Sequence, residues 1–231
     1  MRRAILLLAC LAALTGCGDL SGPFGEAART VRAAVEQRRA VAPPPLVLTR
    51  AQIAADPAAS LRVTDRLGRA AILQAVAALD GQATFRSGDG VNLAFRGPVV
   101  VRSRGLTDDI AGLGTDPAVP LMEAVALRPG ATAPGATHRR EVRRVTPLSD
   151  IETQVFVCSF VHAGPDPQEI VELRFDTVRI EESCAEIGDE TAEAFVNTWW
   201  IVPETGQVWR SRQWISRAQG YLDIEVLKPL G

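Results

Sequence analysis

The sequence predicts a mainly β fold, in which antiparallel meander sheets form a barrel or a sandwich behind a short N-terminal helix. Two observations carry this prediction. From Leu46 onward, apolar and polar residues alternate with a period near two, as they do over residues 91–95. Turn sequences separate the short runs, and Asp80-Gly81 is typical of a tight hairpin because such turns need positive φ angles.

The composition is that of a globular chain, and its net charge excludes one class of partner. The 231 residues are 47% hydrophobic and 23% charged, which is enough apolar material for one sizeable core and too mixed for wholesale disorder. The 25 Lys and Arg against 27 Asp and Glu give a net charge of -2. Nucleic-acid binders need a basic face, so we expect no nucleic-acid partner.

The first residues have the pattern of a lipoprotein signal peptide. Two arginines precede an apolar run over residues 4–14, which is too short to cross a bilayer of about 30 Å at about 1.5 Å per residue. The run ends in Leu14-Thr15-Gly16-Cys17, which looks like the lipobox of bacterial lipoproteins. We therefore expect residues 1–16 to be cleaved and Cys17 to carry palmitate-type acyl chains. The alternative is an ordinary signal with an incidental cysteine.

Lipidation would place the mature chain on a membrane, because each buried acyl methylene contributes about 0.8 kcal/mol. An Asp directly after the lipidated cysteine marks retention at the inner membrane, whereas this chain has Gly18 there. We expect an outer-membrane lipoprotein that faces the periplasm, with the inner membrane as the less favoured alternative. Loss of residues 1–16 removes two arginines and no acids, so the net charge changes from -2 to -4.

Three segments are predicted. Residues 1–16 are the signal peptide, and residues 17–45 are a lipidated tether with a helix over 24–40 and a Pro-rich linker. Residues 46–231 form the β-rich domain.

Strands are predicted over two stretches of this domain. The first stretch is a meander with strands at 70–79, 83–87, 91–96 and 99–104. A short helical turn follows over 109–113, and residues 112–134 are predicted to be a long connection that could divide the domain into two sheet regions. The second stretch has strands at 139–145, 153–161, 168–181, 195–202, 207–215 and 222–227, with a bulge near Asp176.

The mature chain keeps two cysteines besides the lipidated one, because Cys10 leaves with the signal peptide. Cys158 lies in an apolar strand and Cys184 follows the next strand, so antiparallel neighbours would bring the two thiols together. We predict a disulfide, with two buried free thiols as the alternative. A metal site is not predicted, because the chain has no CxxC pair and His138 and His162 lack helical HxxxH spacing.

No catalytic residues or cofactors are predicted. The sequence has no GxSxG, no P-loop and no GxGxxG motif. Adjacent pairs such as Asp108-Asp109 are poor acid/base pairs, since side chains one position apart do not face each other on a helix. The pairs Glu181-Glu182 and Asp189-Glu190 could each join a distant carboxylate in a glycosidase-like site, but a solvated acidic surface is the preferred interpretation.

Aromatic residues are concentrated in the last predicted strands, where all four tryptophans fall within sixteen residues. Aromatic rings can stack on sugar rings while neighbouring polar groups bind hydroxyls. Packing within a barrel or sandwich core is the competing interpretation. The candidates for glycan or partner contact are Trp199, Trp200, Trp209, Arg210, Arg212, Gln213, Trp214 and Tyr221.

Three features together resemble the YjbF family of lipoproteins, which is related to the group 4 capsule lipoprotein. They are the lipobox at Cys17, residues 103–110 (SRGLTDDI), and the C-terminal run from Asn197-Thr198-Trp199-Trp200 through residues 206–214 (GQVWRSRQW) to Gly220-Tyr221-Leu222. The resemblance implies a mainly β envelope lipoprotein associated with exopolysaccharide or capsule production and export. It carries over no catalytic residue.

The resulting hypothesis is an outer-membrane lipoprotein that assists polysaccharide production or secretion through protein or glycan contacts, without catalysis. Its partners would be the membrane, through the lipid anchor, and polysaccharide or polysaccharide-export proteins. Two alternatives are a periplasmic glycan-processing enzyme and a structural envelope anchor.

Overall fold

The structure is a computed structural model that describes residues 46–114, 118–126, 129–130, 132–145, 150–188 and 194–231. The predicted signal peptide, the lipidation site Cys17, the helix over 24–40 and the Asp189-Glu190 pair lie outside these residues. Among the described residues, no helix is long and apolar enough to cross a membrane.

The described chain contains two short helices and fourteen strands. The helices are α1 (Arg50–Ala55) and α2 (Ala118–Val125). The strands are β1 (Ser60–Asp65), β2 (Ala70–Leu79), β3 (Gln82–Ser87), β4 (Asn92–Arg96), β5 (Val99–Arg104), β6 (Ile110–Leu113), β7 (Thr132–Val145), β8 (Ile151–Pro165), β9 (Gln168–Ile170), β10 (Leu173–Phe175), β11 (Val178–Glu186), β12 (Phe195–Val202), β13 (Gln207–Ser216) and β14 (Gly220–Lys228). The mainly β prediction is confirmed.

Twelve of these strands form one antiparallel sheet that curls into a nearly closed barrel. The strand order is β5-β4-β3-β2-β1-β14-β13-β12-β11-β8-β7-β6. Its two edge strands are consecutive in the chain and meet at the seam, where Arg102 Nε donates to the carbonyl of Ala111 at 3.1 Å. The predicted choice between a barrel and a sandwich is thus decided for the barrel. The division into two sheet regions, which the connection over 112–134 left possible, does not occur among the described strands, because β1 pairs with β14 and joins the two halves.

The predicted meander of β2 to β5 is present with strand ends within one residue of the prediction. Leu79 pairs with Gln82, so the β2-β3 hairpin has a two-residue turn. Its residues Asp80 and Gly81 have φ angles of 51° and 73°, as a type I′ turn requires. The local turn chemistry therefore fixes the register of this hairpin.

Two predictions between the meander and β7 are wrong. The helical turn predicted over 109–113 is strand β6, because Ile110 and Leu113 pair with Arg144 and Val142 of β7. The connection predicted over 112–134 contains α2, which forms because Leu121 and Ala124 bury their side chains completely or nearly so in the barrel. Both elements depend on partners that are distant in sequence.

The strand predicted over 168–181 is also wrong, since three strands occupy it. β9 and β10 form a separate hairpin, and β11 enters the barrel only at Val178. The break at residues 176–177 replaces the predicted bulge near Asp176. Helix α1 was not predicted either, although Thr49 and Gln52 form a capping box that is visible in the sequence.

Side chains fill the barrel interior in layers. The layer next to α2 is apolar and includes the fully buried side chains of Phe160, Ile180, Trp199 and Ile201. The opposite layer is aromatic and contains Phe156, Phe195 and Trp214. Between them lie the buried polar side chains of Arg140, Glu182 and Asn197. A third cluster sits outside the sheet, where α1 and the β9-β10 hairpin cover Leu227 and Trp209.

Candidate functional site

The middle layer of the barrel is built around the carboxylate of Glu182, which has no exposed surface. Arg140 Nη1 lies 2.5 Å from its Oε2 atom, Asn197 Nδ2 donates to the same oxygen at 2.7 Å, and His138 Nε2 lies 2.8 Å from Oε1. Strands β7, β11 and β12 each contribute to this cluster, since inward-facing positions of neighbouring strands meet inside a barrel. We call Glu182, Arg140, His138 and Asn197 the interior cluster.

The electrostatics of the interior cluster keep Glu182 ionised. Burial alone would raise the pKa of this carboxyl group, but Arg140 and the hydrogen bonds from His138 and Asn197 outweigh it and lower the pKa. Asn197 also accepts a hydrogen bond from the backbone of Trp214 at 2.7 Å. Each carboxylate oxygen thus has a protein partner, and the cluster ties three strands together away from solvent. Its geometry is that of an internal crosslink.

Residues of the interior cluster also approach metal-ligand geometry. Ligand atoms of His138, Cys158 and Glu182 all lie within 4.8 Å of one another. Cys158 is bonded to Cys184, however, and its sulfur is then not available as a thiolate ligand. The oxygens of Glu182 already accept from Arg140 and Asn197. In this disulfide-bonded form the three residues therefore do not make a metal site.

The predicted disulfide is present. Cys158 of β8 pairs directly with Cys184 of β11 across the antiparallel ladder, and their sulfurs are bonded at 2.03 Å. Both residues point into the barrel and are 1% exposed. The bond lies beside the interior cluster, so a covalent crosslink from β8 to β11 and an ionic crosslink from β7 to β11 reinforce the same part of the barrel.

The candidate contact residues divide between the inside and the outside of the barrel. Trp199 and Gln213 are buried, at 0% and 1% exposure, and are no longer candidates because a ligand outside the barrel cannot reach them. Gln213 instead crosslinks the interior, where Oε1 accepts from the backbone of Val100 at 2.9 Å and Nε2 donates to the carbonyl of Pro98 at 2.8 Å.

Two further tryptophans are engaged with other rings. Trp209 stacks on Phe175 of the β9-β10 hairpin with ring centroids 3.8 Å apart, so the hairpin covers one of its faces. Trp214 stacks on Phe195 at 4.2 Å near the barrel end that lies opposite α2. In Trp209 and Trp214, a neighbouring ring therefore covers one face that a glycan could otherwise have contacted.

The remaining four candidates form an outer aromatic surface on β12, β13 and β14, which we define as Trp200, Arg210, Arg212 and Tyr221. The Arg210 guanidinium lies 5.0 Å from the ring centroid of Trp200, and that of Arg212 lies 4.4 Å from the centroid of Tyr221. The arrangement has two cation-π pairs side by side on neighbouring strands. Arg212 is exposed, whereas the other three are half-buried.

Hydrogen bonds fix the geometry of the outer aromatic surface. Trp200 Nε1 donates to Asp166 at 2.9 Å, and the hydroxyl of Tyr221 accepts from the backbone of Val196 at 3.1 Å. Arg210 Nη1 donates to Gln168 at 3.1 Å. The rings are therefore preorganised, and they combine apolar faces with guanidinium donors, which is the chemistry needed to contact a hydroxylated chain.

A cavity of about 280 Å³ opens at the α2 end of the barrel. Its walls are mainly apolar and include Leu61, Phe85 and Phe95, with Arg210 and Lys228 among the polar groups. Helix α2 lies close to the turns at this end, where a Cβ on Gly97 would come within 3.3 Å of Ala118 Cβ. The helix thus lies beside this end of the barrel.

Sequence reasoning missed Arg140, Asn197 and Arg144, and it treated Glu182 as part of a solvated surface, which is wrong. One signal was available. Ile180, Glu182 and Cys184 are spaced by two, so an apolar residue and a buried cysteine place Glu182 on the inward face of its strand. For the arginines no local signal exists, because Arg140 lies 42 residues from Glu182.

The fold and the site together define a class, which is a nearly closed antiparallel barrel domain with a side-chain-filled polar interior and an aromatic, arginine-bearing outer face. Within that class, the chain belongs to the family described as group 4 capsule polysaccharide lipoprotein gfcB, YjbF, whose model matches residues 28–227. The family expected from the lipobox and the C-terminal motif is confirmed.

A crystal structure of the hypothetical lipoprotein YmcC from Escherichia coli (K12) is similar, with a TM-score of 0.67 and 18% sequence identity. The match covers 87% of this chain and 95% of that one, and it shows a shared fold. No curated protein sequence matches the chain.

Proposed function

We propose that this protein is an outer-membrane lipoprotein that assists capsule or exopolysaccharide production or secretion through contacts with the polymer or with export proteins. Membership in a family described as group 4 capsule polysaccharide lipoproteins is the observation that carries the proposal. The barrel domain would act by binding, because the buried carboxylate of Glu182 is paired with Arg140 and closed to solvent.

Anchoring is the first part of the proposal. Cys17 would carry the acyl chains, and Gly18 in the following position favours transport to the outer membrane. Fractionation of membranes on a density gradient tests this part, with Cys17→Ser as the unlipidated control. Recovery of the wild-type chain in the inner-membrane fraction would overturn the outer-membrane assignment.

Contact with the polymer is the second part, and we assign it to the outer aromatic surface. This surface lies on the outside of the barrel, where a long chain can pass, and it holds Trp200 and Tyr221 in fixed orientations through hydrogen bonds. Among the described residues, Arg212 makes no carboxylate contact within 4 Å, so its donors stay available around the ring that it covers. Aromatic rings with adjacent guanidinium donors suit recognition of a hydroxyl-bearing chain.

Deletion of the gene followed by complementation tests the function. We expect the deletion to lower the amount of secreted polymer, the wild-type gene to restore it, and Arg212→Ala combined with Trp200→Leu to restore it only in part. The matched control is Arg174→Ala, which removes an exposed arginine from the β9-β10 hairpin outside the surface. Unchanged polymer amount and size in the deletion strain would overturn the proposal.

Incubation of the purified protein with the isolated polymer separates the other functions. If the polymer is shortened or chemically modified, the function is enzymatic and the binding function is overturned. Crosslinking in cells that recovers neither polymer nor polysaccharide-export proteins, but other envelope proteins, would leave a structural anchor as the function.

A further inference from the structure

A second cavity, of about 210 Å³, opens at the barrel end opposite α2, and we call it the mouth pocket. Strand β7 ends here and β8 begins, and the aromatic layer of the interior forms its floor. The side chains that matter for its chemistry are Asp108, Arg144, Glu152, Gln154, Trp214 and Arg217.

Arg144 is the unusual residue of the mouth pocket. It is 8% exposed, and its guanidinium lies 5.1 Å from the ring centroid of Trp214. Its Nε atom donates to Gln154 Oε1 at 2.6 Å, but its Nη1 atom is buried without a hydrogen-bond partner among the described residues. A buried charged donor without an acceptor is costly, so a group that supplies an acceptor at this point is favoured.

The charges around the pocket define what that group can be. Arg144 and Arg217 are matched by Asp108 and Glu152, so the lining carries no net charge. Burial lowers the pKa of Arg144 to about 10, opposed by the nearby carboxylates of Asp108, Glu152 and Glu186, and the guanidinium stays charged at neutral pH. The carboxylates around the pocket disfavour binding of an anionic ligand. The guanidiniums of Arg144 and Arg217 disfavour binding of a cationic one.

A neutral, hydroxyl-rich molecule fits this lining best. Each sugar hydroxyl both donates and accepts, and the pocket offers donors from arginine next to acceptors from Asp108 and Glu152. Trp214 supplies an apolar wall, although Phe195 already stacks on its ring. The volume is below the range of about 300–1,000 Å³ that is usual for drug-sized ligands, so it suits one small ring.

We propose that the mouth pocket binds a single neutral sugar unit, with the Arg144 guanidinium donating to a sugar oxygen. The inference rests on the proposed function, because the polymer would supply the sugar as a chain end or a branch. It also separates two roles, since the outer aromatic surface would follow the length of the chain and the mouth pocket would hold one unit.

Saturation-transfer NMR on the full-length protein in a zwitterionic detergent tests the pocket with four probes, glucose, galactose, N-acetylglucosamine and glucuronate. We expect at least one neutral sugar to bind and glucuronate to bind at least tenfold more weakly. Arg144→Met, which removes the donors, should weaken binding of the neutral sugar at least tenfold. Arg174→Met on the β9-β10 hairpin, outside both the mouth pocket and the outer aromatic surface, is the matched control and should leave this binding unchanged.

Arg144 is buried, so a second variant guards against misfolding. Val145 lines the pocket and is 41% exposed. In Val145→Trp, the larger side chain should fill the pocket from its rim without disturbing the interior of the barrel. Loss of sugar binding in this variant supports the proposal. Absence of binding by every neutral sugar, preference for glucuronate, or binding that survives both Arg144→Met and Val145→Trp would overturn it.

The two proposals fail separately. If Val145→Trp abolishes sugar binding while the gene deletion leaves the polymer unchanged, the pocket stands and the proposed function falls. If deletion of the gene lowers the amount of secreted polymer while no sugar binds the protein, the proposed function stands and the pocket assignment falls.

Discussion

Arg140 Nη1 lies 2.5 Å from Glu182 Oε2 inside the barrel, where Glu182 has no exposed surface and Arg140 is 5% exposed. The two residues belong to β7 and β11, which are separated in the sheet by β8. The ion pair therefore crosses the interior between strands that share no backbone hydrogen bonds. It helps to fix the curvature of the sheet at the layer where the disulfide also lies.

Removal of one partner from this pair should destabilise the protein strongly. Glu182→Ala leaves the Arg140 guanidinium buried without its counterion, and we expect a loss of about 3–5 kcal/mol in the free energy of unfolding. The double variant Arg140→Met with Glu182→Ala should lose less than the sum of the losses in Arg140→Met and Glu182→Ala alone. Urea unfolding of the four proteins gives the coupling energy, and additive losses would show that the two side chains act independently.

The same carboxylate predicts a pH dependence of stability. The folded-state pKa of Glu182 is lowered, chiefly because Arg140 and its hydrogen bonds outweigh burial, so its contribution is complete above the unfolded pKa of about 4.3. As the pH falls through the folded pKa, this contribution disappears. Urea unfolding between pH 7 and pH 3 should therefore show a steeper loss in the wild type than in Glu182→Gln.

Asp65 provides a control for that experiment. Its pKa is also lowered, because the hydrogen bonds from Arg69 and Leu67 outweigh partial burial. It is the last residue of β1, directly before the β1-β2 turn. Asp65→Asn should keep most of the acid sensitivity, and equal curves for wild type and Glu182→Gln would contradict the role assigned to Glu182.

The part of the fold that the sequence predicts well is the part that local chemistry determines. The β2-β3 hairpin was predicted because Asp80-Gly81 itself favours the left-handed φ angles of its turn. Strand β12 was predicted with its observed bounds, and a turn over residues 203–206 follows it directly. In such segments a short window contains all the information that decides the structure.

The remaining elements depend on contacts that no window contains. Strand β6 exists because Ile110 pairs with Arg144, and α2 exists because Leu121 finds a place in the barrel. The mouth pocket combines Arg144 of β7 with Trp214 of β13, which are seventy positions apart in the sequence. Composition revealed the aromatic residues, but only the barrel shows which of them face outward.

The disulfide should contribute substantially to stability. Cys158 and Cys184 are 26 positions apart, and closing a loop of this size restricts the unfolded chain by roughly 3–4 kcal/mol. We expect the midpoint of urea unfolding to fall when the protein is reduced while unfolded and then refolded with its thiols alkylated. Cys158→Ala with Cys184→Ala should reproduce the loss. Two thiols that react with an alkylating reagent in the unreduced, denatured protein would show that the bond is absent.

Arg50 should determine the stability of the β9-β10 hairpin. Its guanidinium donates to the carbonyl of Val171 at 2.6 Å, to that of Leu227 at 3.2 Å and to that of Ile170. Arg50→Met keeps the apolar stem and leaves these acceptors unpaired, at an expected cost of about 1–3 kcal/mol. Amide hydrogen exchange should increase first in residues 168–175. Arg86→Met, on the exposed side of β3, is the control and should leave that exchange unchanged.

The turn of the same hairpin should be improved by glycine. Ile170 pairs with Leu173, so Val171 and Glu172 form a two-residue turn, and their φ angles are 44° and 69°. Left-handed φ costs a non-glycine residue about 1–2 kcal/mol, and part of this is recovered when glycine replaces it. Glu172→Gly should therefore stabilise the protein by about 0.5–1 kcal/mol in urea unfolding.

Charge is the competing effect in this experiment, because Glu172 attracts Arg50. Glu172→Gln removes the same charge without relieving the backbone, so the difference between the glycine and glutamine variants isolates the φ angle. The reverse change is available in the β2-β3 turn, where Gly81 has a φ of 73° and no atom within 4 Å of an added Cβ. Gly81→Ala should then destabilise through the backbone alone. The prediction is contradicted if Glu172→Gly and Glu172→Gln have the same free energy of unfolding while Gly81→Ala lowers it. In that case the left-handed φ angle of Glu172 does not measurably destabilise the hairpin turn.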